Sequence, residues 1–192
     1  MKNLNSKEGR VVEENFKICC FTGYRPSKFP FPLNKSNREY IEFENGLTMA
    51  LLSLFEDECY TFYSGGAMGF DIIAAEAVLD LKKACRHPVK LICALPFKKQ
   101  ADTYTDGWKA RYEAVLAAAD EIVYTSEEYN KGCYSIRNRY MVDNSDYVLT
   151  WYDGAEGGTK NTVNYARKSG KTVVNLCKKE RGFQEDFCDV IF

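Results

Sequence analysis

Three stretches of the chain carry residues whose types and spacing suit binding of an anion. The first is Ser64-Gly65-Gly66-Ala67-Met68-Gly69-Phe70-Asp71, which follows a short apolar run and opens a helical one. Glycines there let the backbone turn tightly and let a phosphate approach peptide N–H groups, while a helix amino terminus adds partial positive charge. The stretch is neither a GxGxxG dinucleotide fingerprint nor a Walker A, because the Lys-Ser/Thr pair is missing. A bare GGxxG also meets the steric needs of an ordinary strand-to-helix turn. Asp71 falls in the first helical turn. It can complement the helix dipole, accept hydrogen bonds from a ribose or base, or act as a general base.

The second stretch is Asp153-Gly154-Ala155-Glu156-Gly157-Gly158-Thr159-Lys160-Asn161-Thr162. Gly157 and Gly158 offer N–H groups, Thr159 a hydroxyl and Asn161 an amide side chain. Thr159 can equally be a simple helix cap. The third is Thr22-Gly23-Tyr24-Arg25-Pro26 with Lys28-Phe29-Pro30-Phe31-Pro32. Residues 23–36 contain Arg25, Lys28 and Lys35 and no acid. Arg25 can fork onto a phosphate, and Tyr24 or Phe29 can stack on a base. The alternative is a proline-stiffened loop that packs its aromatics on the domain. Arg137 and Asn138, in Tyr134-Ser135-Ile136-Arg137-Asn138-Arg139, can reach the same rim. Trp151 and Tyr152 are the best base-stacking candidates. The paired lysines of Pro96-Phe97-Lys98-Lys99-Gln100 are balanced by Asp102 and Asp106.

The elements that position these residues follow from hydrophobic periodicity. Strands are expected at 16–22, 60–64, 89–95, 121–124, 147–151 and 172–176, and helices at 36–55, 69–84, 108–119, 135–144 and 158–169. Alternating β and α means a mainly parallel sheet flanked by helices, and the unbroken apolar strands fit burial on both faces. Right-handed crossovers then give an α/β, Rossmann-like, doubly wound domain. Helix-to-strand links at 56–59, 85–88, 145–146 and 170–171 are short. Strand-to-helix links at 23–35, 65–68, 96–107, 125–134 and 152–157 are long or glycine-rich. The latter all fall on the carboxyl edge, where open α/β sheets bind ligands. One domain over 16–192 is expected, after a polar segment at 1–15 and ending in a tail from Cys177 that is a short helix or packed against the domain.

Composition removes several other readings. His87 is the only histidine, so no His-pair zinc site and no HExxH helix can form. It sits in a helix-to-strand link and reads as a surface residue. The eight cysteines form no CxxC, and most lie in apolar runs as small buried hydrophobes. Cys133 stands apart in a polar stretch. No metal or required cofactor is expected. Nothing approaches the roughly 18 apolar residues of a membrane span, and 1–15 is polar, so a cytoplasmic setting with reduced thiols is expected. The net charge of −1 gives no global case for nucleic acid. A small anionic ligand suits the mixed rim charges better than a long polyanion, and a homo-oligomer is compatible with the composition.

In the order Cys20-Phe21-Thr22-Gly23-Tyr24-Arg25-Pro26, Ser64–Asp71, Leu95-Pro96-Phe97 and Gly157-Gly158-Thr159-Lys160-Asn161, the chain resembles the YpsA-like family of the SLOG superfamily. The similarity runs from about Phe16 to Leu176. That superfamily of Rossmann-like domains also holds the DNA-processing protein Smf/DprA and the LOG phosphoribohydrolases. The resemblance implies a nucleotide or nucleotide-derived ligand on the carboxyl rim. The expected contacts are Thr22, Gly23, Tyr24, Arg25, Ser64, Gly65, Gly66, Ala67, Gly69, Asp71, Arg137, Asn138, Gly157, Gly158, Thr159 and Asn161. LOG enzymes read roughly PGGxGTxxE with a catalytic glutamate, and Thr162 stands at that position here. A LOG-like N-glycoside hydrolase would have to use Asp71 or Glu156 instead. Many YpsA-like chains carry His where this one has Tyr24, so the resemblance carries over no acid–base role for that position. The leading expectation is a sensor or regulatory binding domain. The alternatives are the hydrolase and a single-stranded DNA binder.

Overall fold

A computed structural model describes residues 16–177. The expected polar segment 1–15 and the tail beyond Cys177 lie outside these residues. Six strands form one sheet: β1 (Lys17–Gly23), β2 (Cys59–Ser64), β3 (Lys90–Leu95), β4 (Glu121–Tyr124), β5 (Tyr147–Trp151) and β6 (Thr172–Asn175). Between them run α1 (Arg38–Glu56), α2 (Phe70–Ala84), α3 (Asp106–Ala118), α4 (Cys133–Asp143) and α5 (Gly158–Lys168). Two 3-10 turns, Pro26–Lys28 and Gln100–Thr103, sit in the carboxyl-edge loops. Every strand pair is parallel, in the order β4-β3-β2-β1-β5-β6.

Alternation along each strand divides the core between the two faces of the sheet. Phe21, Phe62, Leu91, Cys93 and Leu149 pack with Leu47 of α1, Ile72 and Val78 of α2 and Val115 of α3. Cys20, Tyr63, Ile92, Ala94 and Val148 pack with Met141 and Val142 of α4 and Ala166 of α5. The chain winds outwards from β1 to β4, then crosses back to lay β5 on the other side of β1. This makes β1 and β5 the switch point, and the crevice beyond their carboxyl ends is where such sheets bind ligands.

Local chemistry explains the helix ends. The Asn37 side chain caps α1 by accepting from the Tyr40 amide at 2.9 Å. Neither α2 nor α5 has a side-chain cap; each starts at a glycine with positive φ, Gly69 at +95° and Gly157 at +146°. The expected elements all form, with ends displaced by one or two residues. Cys133 differs from expectation: it opens α4 and is fully buried. Cys19, Cys20, Cys59, Cys85, Cys93 and Cys133 are free thiols, and burial pushes those of Cys20, Cys59 and Cys93 up to about 12. His87 is exposed and stacks on Tyr60 at 4.8 Å. No helix among the described residues is long and apolar enough to cross a membrane.

Candidate functional site

Buried polar side chains are few and concentrated. Thr22, Ser64, Asp71, Gln100, Arg137, Ser145, Thr150 and Thr162 make up the set among the described residues. All but Ser145 lie near the carboxyl ends of strands or in the elements that follow them. A buried polar group costs stability unless it is paired, so such a concentration at one edge needs a reason.

The turn into α2 holds most of them. Ser64 Oγ donates to the Asp71 carbonyl at 2.9 Å and accepts from the Gly66 amide at 3.2 Å. Gly66 adopts a left-handed φ of +63°. Gln100 Nε2 donates to the Gly65 carbonyl at 3.2 Å, and Tyr104 Oη donates to the Gly66 carbonyl at 3.0 Å. The 3-10 turn after β3 therefore clamps the turn after β2. Gly69 brings α2 against the β1 loop: the Phe70 amide donates to the Tyr24 carbonyl at 3.0 Å, and a Cβ on Gly69 would lie 2.3 Å from that oxygen.

Asp71 and Arg137 meet over this turn from opposite faces of the sheet. Arg137 Nη1 lies 3.6 Å from Asp71 Oδ2, and each side chain is about 5% exposed. A Cβ on Gly65 would sit 1.3 Å from Arg137 Nη1, so the guanidinium rests on the bare glycine backbone. Burial pushes the Asp71 carboxyl up to about 6, against the opposing pull of Arg137, the Ala67 amide, the Arg25 charge and the Gly65 amide. The glycine turn thus directs its amides at the protein's own carboxylate. Arg137 remains undersupplied: its Nε and Nη1 have no hydrogen-bond partner, nor does Gln100 Oε1 or Thr150 Oγ1.

The other side of the rim is closed on itself. Tyr24 is buried; its hydroxyl bonds Asp153, and its amide donates to the Trp151 carbonyl at 3.3 Å. Burial and Asp153 both raise the Tyr24 phenol above its ordinary value. Phe29 stacks on Trp151 at 4.6 Å, with Phe31, Phe43 and Tyr152 in the same aromatic cluster. Tyr24, Phe29, Trp151 and Tyr152 are therefore packing residues and not open stacking platforms. Burying large aromatic surfaces against one another outweighs leaving them wet.

At the start of α5, Thr159 Oγ1 is neither a cap nor free for an anion, since it donates to the Gly23 carbonyl at 3.0 Å. Glu156 is exposed and pairs with Lys160 at 2.5 Å. Lys28 Nζ donates to the Glu156 carbonyl at 3.3 Å. Asn138 Nδ2 donates to Thr162 Oγ1 at 2.9 Å, which braces α4 against α5. Gly158 and Asn161 are exposed.

The structure thus brings Ser64, Gly65, Gly66, Ala67, Gly69, Asp71 and Arg137 into one polar cluster. Thr22 and Gly23 end β1, and Tyr24 and the exposed Arg25 open the loop between the two glycine turns. Gly157, Gly158, Thr159 and Asn161 stand on the far flank. Sequence reading missed the Gln100 and Tyr104 clamp and the buried Thr150. The only signal for the clamp was two hydrogen-bonding side chains in a loop otherwise read for its lysines. Among the described residues, no group of three or more His, Cys, Asp or Glu is placed to hold a metal.

A parallel, doubly wound sheet with its buried polar groups gathered at the carboxyl edge defines a Rossmann-like α/β protein. Within that class, the profile of the YspA SLOG family matches residues 19–175, and the chain belongs to this family. It is 37% identical over 123 residues to the uncharacterized SPbeta prophage-derived protein YoqJ of Bacillus subtilis, covering 57% of this chain and 71% of YoqJ. It is 28% identical over 156 residues to the UPF0398 protein YpsA of B. subtilis, covering 79% and 85%. Among solved structures, DNA processing protein A from Helicobacter pylori, described for its single-stranded DNA binding mode, superposes with a TM-score of 0.56 at 21% identity. DprA from Streptococcus pneumoniae gives 0.55 at 17%. The match covers 83% of this chain in both cases, but only 64% and 50% of the two DprA chains. At that identity the likeness is one of fold.

Proposed function

We propose that the carboxyl rim binds a nucleotide or nucleotide-derived small molecule, and that the domain acts as a cytoplasmic sensor or regulatory module. Arg137 takes an anionic group of the ligand, Asp71 accepts from sugar hydroxyls, and Arg25 supplies a second cation at the mouth. The observation that carries this reading is the buried Arg137 guanidinium, which faces a buried carboxylate at 3.6 Å yet has two nitrogens without a hydrogen-bond partner. An unmade buried hydrogen bond costs about 1–3 kcal/mol, more for a charged group, so an incoming acceptor recovers a large penalty. A guanidinium also matches the planar geometry of a phosphate or carboxylate. The buried thiols Cys19, Cys20, Cys59, Cys93 and Cys133 fit a reducing compartment.

Two other readings use the same rim. Asp71, held near 6, has the pKa of a usable general acid or base, which keeps N-glycoside hydrolysis in play. The fold likeness to DprA supports single-stranded DNA as a partner. Calorimetry and thermal shift with mononucleotides, dinucleotides, ADP-ribose and short oligonucleotides, followed by product analysis, separate them. The expected result is stoichiometric binding of a small nucleotide without turnover, lost in Arg137→Met. Released base would favour the hydrolase, and oligonucleotide affinity falling steeply with salt would favour DNA. A melt unmoved by every nucleotide-type probe contradicts the proposal.

A further inference from the structure

We infer that the groove beyond β3 and β4 is the base-binding half of this site, so that the ligand carries an aromatic ring system at the end away from Arg137. The inference rests on the reading of the rim given above. A nucleobase gains affinity by stacking on a flat ring, and the rings around the β1 and β5 loops are consumed in their own cluster. Among the described residues, the Phe, Tyr and Trp side chains that stand exposed are Tyr124 and Tyr129, at 41% and 67%. Both line a single groove of about 860 Å³, within the usual range for small-molecule sites of about 300–1,000 Å³. Both belong to the carboxyl rim: Tyr124 ends β4 and Tyr129 lies in the loop to α4.

The platform is held from beneath. Buried Phe97 meets Tyr129 edge-on at 5.6 Å and Tyr134 at 6.0 Å. Lys98 Nζ lies 5.9 Å from the centre of the Tyr124 ring. One segment serves both the groove and the Arg137 cluster. Phe97 lines the groove, and Gln100 further along the same segment grips the Gly65 carbonyl. A ligand anchored by its anion at Arg137 therefore has an aromatic surface two strands along the same rim. Charge decides what kind of ligand this is. Lys98 and Lys99 are offset by Glu127 and Glu128 in the same groove. A polyanionic strand gains little from a neutral groove, whereas stacking of an uncharged base is indifferent to that balance. The groove therefore suits the base of a small ligand and not a running phosphate backbone.

The test compares AMP, ADP-ribose and ribose 5-phosphate by calorimetry on the wild type, Tyr129→Ala, Tyr124→Ala and Tyr129→Trp. Tyr129 is largely exposed, so an unchanged melting temperature is expected and confirms the fold. The two adenine-bearing probes should outbind ribose 5-phosphate on the wild type. Tyr129→Ala should remove on the order of tenfold of that margin and leave ribose 5-phosphate unchanged, while Tyr129→Trp retains it. Undiminished AMP and ADP-ribose binding in both alanine variants, with dependence on Arg137 intact, overturns this inference and leaves the rim reading standing. No binding of any probe to the wild type overturns both.

Discussion

Two glycine-rich turns lead from strands into helices on the same rim, one into α2 and one into α5, and neither helix has a side-chain cap. In the α2 turn, a carboxylate and a guanidinium are buried together 3.6 Å apart, and the guanidinium keeps two nitrogens without hydrogen-bond partners. In the α5 turn, Thr159 is spent on the Gly23 carbonyl, Glu156 on Lys160, and Lys28 on the Glu156 carbonyl. The first turn holds unsatisfied charge out of water. The second holds satisfied groups at the surface. Glycine therefore marks where the backbone must bend or be approached closely. What a turn can bind is decided by the side chains that other elements bring to it.

The largest expected effect sets the two turns directly against each other. A Cβ on Gly65 would meet Arg137 Nη1 at 1.3 Å and Asp71 Oδ2 at 2.7 Å, whereas one on Gly158 meets nothing within 4 Å. Gly65→Ala should weaken ADP-ribose binding on the order of 100-fold by displacing the guanidinium. Gly158→Ala should change it by less than about threefold, because no buried pair is disturbed. Equal losses in calorimetry would erase the contrast.

Stability sharpens it next. Arg137→Met leaves Asp71 buried without its cation and should cost about 3 kcal/mol in urea unfolding. Much of that cost should vanish in an Asp71→Asn background, because the two sites are coupled. Additive losses would mean that the pair does not act as a unit.

The pH dependence has a definite sign. Asp71 sits near 6 in the folded protein against an ordinary 3.8, so the folded state holds its proton more tightly than the unfolded chain. Its contribution is neutral below about pH 4 and becomes unfavourable as pH rises to about 6, by up to about 3 kcal/mol. Asp71→Asn should remove this decline from a stability–pH profile; an unaltered profile would place the titration elsewhere.

The smallest effect belongs to the closed turn. Thr159→Val removes one hydrogen bond to Gly23 and should cost about 1 kcal/mol of stability. Probe affinity should stay within about twofold of wild type, since the threonine hydroxyl touches the β1 loop and not the ligand cluster. A large loss of affinity would restore the α5 turn as a binding element.

The order of elements was legible because the strands are unbroken apolar runs and the helices show clear apolar spacing. Gly65, Gly66 and Asp71 were legible because a glycine turn entering a helix constrains chemistry locally. Arg137 was visible only as a rim candidate. Its pairing with Asp71 depends on α4 crossing back over the sheet, which no local pattern encodes. Gln100 and Tyr104 were missed for the same reason, since they act on a turn 34 to 38 residues earlier. Trp151 and Tyr152 look like stacking residues in the sequence because an aromatic near a rim signals either burial or contact, and only the packing of Phe29 and Tyr24 decides which. The burial of Cys133 is not legible, because a polar neighbourhood in sequence does not reveal a buried first turn of helix.

The central claim is that an anionic group binds at the α2 turn and Arg137. Backbone and arginine side-chain NMR of the isotope-labelled chain, titrated with ADP-ribose, tests it most directly. The expected result is saturable shifts at the Gly65, Gly66 and Ala67 amides and at Arg137 Nε–H, with the Gly158, Thr159 and Lys160 amides nearly still. Shifts concentrated at Gly158–Lys160, with Arg137 Nε–H unmoved, would contradict the account.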